Sequence, residues 1–394
     1  MATVYGSEDV TPYSFSRATS RSTATPFVTN ATPRDTATRS ITNITPGGTT
    51  TRSISKATPR DTTTPGDTLT EVSAVTPFTT STSPLDTLPN APVLSYTTIK
   101  PLQTRLKSLL SDLLEGKTYN QYLVVKNIDN LAFEELEKES NRAELGVPTR
   151  FTYWYDYHVL IIKIPTRPHE KSHLVLGRNI MFKMSSMGMP EYALEPIGST
   201  KFRGTSNMLT SSKEGDSAYM PSPIRSDDWP TLVIEAGYSE SLTKLRADAR
   251  WWIDNSHGKV KIVILIHVRP ANKQLLFEKW YAEPLSSIYP NRIFTRGTPG
   301  TTLVPVLRQE LTVVQNPTPQ QGPIAQASPG QQVATVQPPT DPSGKIWAHY
   351  DVVGAPLTLP FNKIFLRAPV PPEQDFDISA LDLAQCACSV WERR

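Results

Sequence analysis

From residue 96 onward the apolar positions recur with helical or strand spacing, whereas the residues before it are almost free of aliphatic and aromatic anchors. Leu102, Leu106, Leu109, Leu110, Leu113 and Leu114 form one stripe in KPLQTRLKSLLSDLLEGK (100–117), which predicts a helix closed by Gly116. RFTYWYDYHVLIIKI (150–164) predicts two strands about a tight turn near residues 156–158. Pro165 and Pro168 then punctuate the chain, and HEKSHLVLGRNIMFKMSSMG (169–188) predicts a helix opening just after Pro168. The β-branched run TLVI (231–234) predicts a buried strand that ends on Glu235. Leu242, Leu245, Ala249, Trp252 and Ile253 share one face of a predicted helix over 240–255, with Gly258 just beyond it. KVKIVILIHV (259–268) predicts a central strand, followed by QLLFEKWYAE (274–283). After a break, LTLPFNKIFLR and the helical DISALDLAQCACSVWERR resume the ordered pattern.

The two breaks are compositional. Residues 18–69 contain a thirteen-residue repeat (ATSRSTATPFVTN, ATPRDTATRSITN, ITPGGTTTRSISK, ATPRDTTTPGDTL) that cannot bury a core. Residues 1–95 therefore read as a disordered Thr/Ser/Pro-rich tail, and residues 317–344 as a Pro/Gln-rich disordered insert. Between them, residues 96–316 and 345–394 read as one α/β domain. Thr-Pro pairs at Thr25, Thr32, Thr45, Thr58 and Thr64 would make the tail acidic on phosphorylation, and the tail offers a route to protein partners.

Charge and cysteines narrow the picture. Lys and Arg total 40 against 37 Asp and Glu, so no global field draws nucleic acid. No run reaches the roughly 18 apolar residues a membrane span needs, and no secretory leader is evident. The expectation is an intracellular protein of nucleus or cytoplasm, with Cys386 and Cys388 as free thiols and no membrane partner.

Glu235 breaks the apolar logic of its strand, because a buried carboxylate needs a hydrogen bond, a cation or a metal. The surrounding order supplies one reading: a strand hairpin, a helix opening on Pro-His-Glu, an acid before a hairpin, a strand with Glu, a helix, then a strand. It resembles the PD-(D/E)XK nuclease superfamily, and more narrowly the restriction-endonuclease-like proteins numerous in fungal genomes. The resemblance is carried by PTRPHEKSHLVLGRNIMFKMSSMG (165–188), Glu214-Gly215-Asp216, WPTLVIEAGYSESLTKLRADARWWIDNSHGKVKIVILIHV (229–268) and GAPLTLPFNKIFLRAPVPPEQDFDISALDL (354–383).

That resemblance implies a mixed central sheet flanked by helices, Mg²⁺ (or Mn²⁺) as cofactor and DNA as substrate. It implies Asp216 and Glu235 as metal ligands and Glu170 as a helix-borne acid. The family's usual lysine, two residues after the Glu, is here Gly237. In some branches that lysine moves to the following helix, where Lys244 and Arg246 are the candidates. They stand roughly 200° apart on a helical wheel, so only one faces the acids, and Lys244 is preferred. Two other readings remain open: a catalytically inactive interaction module, and a zinc metallopeptidase through His169-Glu170-x-x-His173. Against the last stand Pro168 before the motif, Lys171 within it, and only distant Glu191 or Glu195 as a third ligand.

Overall fold

Strand β1 (Val93–Ser95) and helix α1 (Ile99–Leu114) open the fold in a computed structural model. It describes residues 85–206, 209–225, 228–238, 242–297, 299–316, 333–336 and 349–391, with 333–336 and 349 described by backbone alone. The described residues fall in one compact unit. The architecture is a mixed α/β one, built on two sheets.

The first sheet uses β1, β2 (Tyr122–Lys126), β3 (Arg150–Trp154) and β4 (Val159–Lys163). Helices α2 (Asn130–Glu137) and α3 (Glu139–Glu144) lie between β2 and β3, and the Asp129 side chain caps α2 by accepting from Ala132 N. The expected turn between β3 and β4 is present, with His158 at φ 50°. Leu102, Leu106 and Leu109 of α1 pack on Leu123, Val125, Leu160 and Ile162, one face of the β2–β4 pair. The 3.6-residue stripe and the two-residue alternation thus meet in one core.

Helix α4 (Arg167–Ser186) follows, with Pro168 in its first turn where no backbone donor is lost. Strands β5 (Leu194–Pro196), β6 (Lys201–Ser206), β7 (Leu209–Glu214) and β8 (Ser217–Pro221) come next. β6 and β7 complete the first sheet, in the order β1-β2-β4-β3-β7-β6. β5 and β8 begin the second, which continues through β9 (Leu232–Tyr238), α5 (Leu242–Asn255), β10 (Ile262–Arg269) and β11 (Gln274–Pro284). A short helix α6 (Leu285–Ile288) leads to β12 (Leu303–Asn316), β13 (Val333–Val336) and β14 (His349–Val353). The order is β13-β14-β12-β11-β10-β9-β8-β5, and β9 and β10, joined through α5, are its parallel pair among the described residues. A small hairpin of β15 (Leu357–Leu359) and β16 (Phe376–Ile378) encloses α7 (Phe361–Phe365), and α8 (Ala380–Trp391) ends the fold.

The second sheet is covered on both faces, which explains its nearly continuous apolar strands. Leu232, Ile234, Ala236, Ile262, Ile264 and Ile266 face Leu176, Ile180 and Met184 of α4 and Leu383 and Ala387 of α8. Val233, Val263 and Leu265 point the other way, onto Leu245, Ala249, Trp252 and Ile253 of α5. Cys386 and Cys388 are buried free thiols in the first of these layers.

Three expectations are corrected. The folded part begins before residue 96: Leu85, Leu88 and Ala91 pack on Tyr122, Val124 and Ile161, and β1 pairs with β2. Residues 1–84 of the expected tail lie outside the described residues. Within the expected insert, Val333–Val336 pairs with β14, and residues 317–332 and 337–344 lie outside. Finally, β9 does not stop at Glu235 but runs on to Tyr238, so Glu235 sits in mid-strand.

Candidate functional site

The chain leaves the first sheet at Glu214 and enters the second at Ser217, with only Gly215 and Asp216 between. A Cβ on Gly215 would lie 2.9 Å from the ring of Trp252, so a residue without a side chain is needed at the crossing. Asp216 is thereby set where three elements point. Its Oδ2 accepts from Lys163 Nζ at 2.9 Å, from His169 Nε2 at 3.0 Å and from the Ala236 amide at 2.8 Å. Its Oδ1 is buried with no partner. Burial alone would raise this carboxyl's pKa, but His169 and Lys163 hold it well below the usual range.

Glu235 is the second acid. The β8–β9 register ends with Ser217 against Ile234, and just before β8 the Asp216 carboxylate accepts from the amide of Ala236, the residue after Glu235. The Glu235 carboxylate accepts from Trp252 Nε1 and lies 3.4 Å from Lys213 Nζ. Burial pushes it up to about 7, against the pull of Lys213 and with added repulsion from Asp216 and Asp248. Lys213 also meets Asp248 at 2.9 Å, and Asp248 in turn binds Lys244 at 2.6 Å. Burial would lower the Lys213 pKa, yet Asp248 and Glu235 outweigh it and hold the ammonium charged. Lys163 and Lys244 both approach the ring of Tyr122, at 6.0 and 5.4 Å.

The first turns of α4 add the third part. His169 and His173, four residues apart, share one helix face and are buried, while the Glu170 side chain is 32% exposed. His169 Nδ1 lies 3.6 Å from Glu170 Oε1, and His173 Nε2 lies 3.4 Å from Glu170 Oε2. Each imidazole is fixed from behind: His169 through Nε2 on Asp216, His173 through Nδ1 on Ser217 Oγ at 2.8 Å. Arg150 Nη2 reaches Glu170 Oε1 at 3.4 Å and lines a neighbouring cavity of about 490 Å³ with Arg142 and Glu214. Burial would raise the Glu170 pKa, but the two histidines hold it below the usual range. One ligand atom from each of His169, Glu170 and His173 falls within 4.8 Å of the others, so this cluster could coordinate a metal ion.

The residues singled out from the sequence are thus partly assembled. Asp216 is bonded to the amide of Ala236, the residue after Glu235, and Glu170 connects to Asp216 through His169. Lys244 turns to Asp248 and joins Glu235 only by way of Lys213. Arg246 binds Glu278 of β11 through Nε and Nη2, two strands along from Glu235. Lys244 and Asp248 are both buried, as are Trp251 and Trp252. Glu191 and Glu195 are exposed, and the carboxylate beside the imidazoles is Glu170 of the motif itself.

Sequence reasoning missed Lys163 and Lys213. The signal was available, since Lys163 closes the apolar run VLIIK as anomalously as Glu235 interrupts its own strand. No family model matches the chain, and no curated protein matches it either.

Proposed function

We propose that this domain is a PD-(D/E)XK-type nuclease-like hydrolase that cleaves DNA phosphodiesters with Mg²⁺ or Mn²⁺ held by Asp216 and Glu235. The observation that carries this reading is the unpartnered, buried Oδ1 of Asp216, whose other oxygen accepts from the Ala236 amide next to Glu235. Magnesium is commonly held by one or two such carboxylates with water completing its shell, so the donor set fits. The order β5-β8-β9-β10, preceded by α4 and with α5 crossing between parallel β9 and β10, supports the same restriction-endonuclease-like core.

When bound, the cation would polarise the phosphate and acidify its water. The chain's own residues have separate tasks. Lys163 keeps Asp216 ionised and brings positive charge beside it, the task the resemblance gave to a lysine at the Gly237 position. Lys213 restrains the upward shift of Glu235, and Trp252 fixes that carboxylate's orientation.

The test is cleavage of plasmid and single-stranded DNA by the full chain with Mg²⁺ or Mn²⁺. Asp216→Asn should lower the rate at least about 100-fold, in line with the loss of a group that acts in the transition state. An inactive wild type, or an Asp216→Asn variant that cuts equally well, would remove this reading.

A second reading is favoured by one observation. Asp216, Glu235 and Asp248 face Lys163, Lys213 and Lys244, three charges against three, so the cluster balances without an added cation. On that reading the domain is a catalytically inactive interaction module, and its Thr/Pro tail recruits protein partners. Thermal melts that do not shift with Mg²⁺ or Mn²⁺ would favour it. Among the described residues no helix is long and apolar enough to cross a membrane.

A further inference from the structure

We propose that the opening turns of α4 form a separate site for a first-row transition-metal dication of the Zn²⁺ or Co²⁺ kind, with His169 Nδ1, His173 Nε2 and the Glu170 carboxylate as ligands. The proposal stands apart from phosphodiester cleavage, and an inactive protein leaves it intact.

Two buried ring nitrogens carry the argument. His169 Nδ1 and His173 Nε2 make no hydrogen bond, although the two side chains are only 0% and 1% exposed. Leaving such atoms unpaired in a protein interior is costly, and each points toward the same carboxylate. Each nitrogen lies 3.4 or 3.6 Å from its own oxygen of that carboxylate, and one ligand atom from each of the three residues falls within 4.8 Å of the others. With metal–ligand bonds of about 2.0–2.1 Å, the edge of a coordination tetrahedron is about 3.4 Å.

The opposite ring nitrogens make the preparation complete. Nε2–H of His169 donates to the Asp216 carboxylate, which can only accept, and His173 Nδ1 is bonded to Ser217 Oγ, toward which the proposed ligand tautomer would donate its Nδ1–H. Those tautomers leave lone pairs on Nδ1 and Nε2, the outer-shell arrangement typical of metal-bound histidine. Imidazole donors select transition metals over Mg²⁺, so this site and the Asp216/Glu235 pair would sort different cations. Glu170 is half-exposed, which leaves the cation a way in from solvent.

This geometry departs from the peptidase pattern that the same residues spell. There the glutamate is a base standing off the metal. Here Glu170 lies between the two imidazoles and serves as a ligand.

The experiment is titration of the chelator-treated full chain with Co²⁺, followed by visible d–d absorption, with Zn²⁺ as competitor. Two variants remove a ligand nitrogen while keeping the bond behind it. In His169→Gln the side-chain amide replaces Nε2 toward Asp216, and in His173→Asn it replaces Nδ1 toward Ser217. One equivalent of Co²⁺ should bind with intense bands of low coordination number, displaced by Zn²⁺. Each variant should weaken binding at least about 100-fold with unchanged far-ultraviolet circular dichroism, and Ser217→Ala should weaken it about 10-fold. Absence of bands at roughly millimolar Co²⁺, or bands that survive in both His169→Gln and His173→Asn, would overturn the site.

Discussion

Gly177 of α4 tests how the helix is held against β8. A Cβ built there would fall 1.8 Å from the Tyr219 hydroxyl oxygen and 3.0 Å from its ring carbon Cζ. Tyr219 is only 5% exposed and belongs to the main core, so the ring cannot swing aside. In Gly177→Ala the helix must therefore lift from the strand. Overpacking of this kind costs about 1–3 kcal/mol, while replacing a helical glycine by alanine returns about 1 kcal/mol. Because the contact is as short as 1.8 Å the cost lies at the upper end, and a net loss of about 2 kcal/mol is expected, read as a lower urea midpoint at constant slope. Tyr219→Phe alone should lose no more than about 1 kcal/mol, since it deletes one hydroxyl and keeps the buried ring. The double variant should be no worse than Tyr219→Phe, because the clashing oxygen has gone. Losses that add to within about 0.3 kcal/mol would refute the reasoning. So would a Gly177→Ala protein as stable as the wild type.

Three further outcomes follow from the same geometry. Lys213→Met leaves Glu235 and Asp248 facing each other without their shared cation, and should cost about 3–5 kcal/mol in chemical denaturation. Gly215→Ala drives a methyl to 2.9 Å from the fully buried Trp252 ring, and should lose about 1–3 kcal/mol with altered tryptophan fluorescence. Asp254 is raised to about 6 by burial, against the pull of Arg250, so its ionised form costs stability. That cost is full above the folded pKa and disappears as pH falls toward the unfolded value. Asp254→Asn should accordingly raise the melting temperature at pH 7.5, by the equivalent of about 1–2 kcal/mol, with the gain fading between pH 6 and 4.

Helices were the most legible part of this sequence. The α5 stripe and the Leu102, Leu106 and Leu109 part of the α1 stripe mark buried faces, whereas Leu114 at the end of α1 is exposed, and Pro168 fixes the start of α4 to within two residues. The β9–β10 pair was legible because both strands are buried on two faces and read as unbroken apolar runs. The first sheet was not legible as a sheet. Its β6 alternates exposed and half-buried positions, and its β7, LTSSKE, buries two serines, a lysine and a glutamate that no hydrophobicity pattern reveals. The acids of the site were found because a carboxylate in an apolar strand is anomalous. Lys213 escaped because its neighbours are polar, and its partners Glu235 and Asp248 lie 22 and 35 residues further along the chain. The histidine cluster was spelled out by a local motif, but the bonds behind it, to Asp216 and Ser217, are long-range.

Lys163 and Lys213 belong to strands of the first sheet, whereas Glu235 and Asp248 belong to the second sheet and its helix. Across the crossing at Gly215–Asp216, Lys163 meets Asp216 and Lys213 meets Glu235 and Asp248, while Lys244 gives Asp248 a partner within its own helix. Without the first sheet, Asp216 and Glu235 lose these ammonium partners. A fragment beginning at residue 165 would retain every acid picked out from the sequence and lose Lys163, together with the strand that carries it. The stretch that looks most like a self-sufficient unit is thus the one that depends on its N-terminal neighbour. The candidate site is complete only where the two sheets are docked.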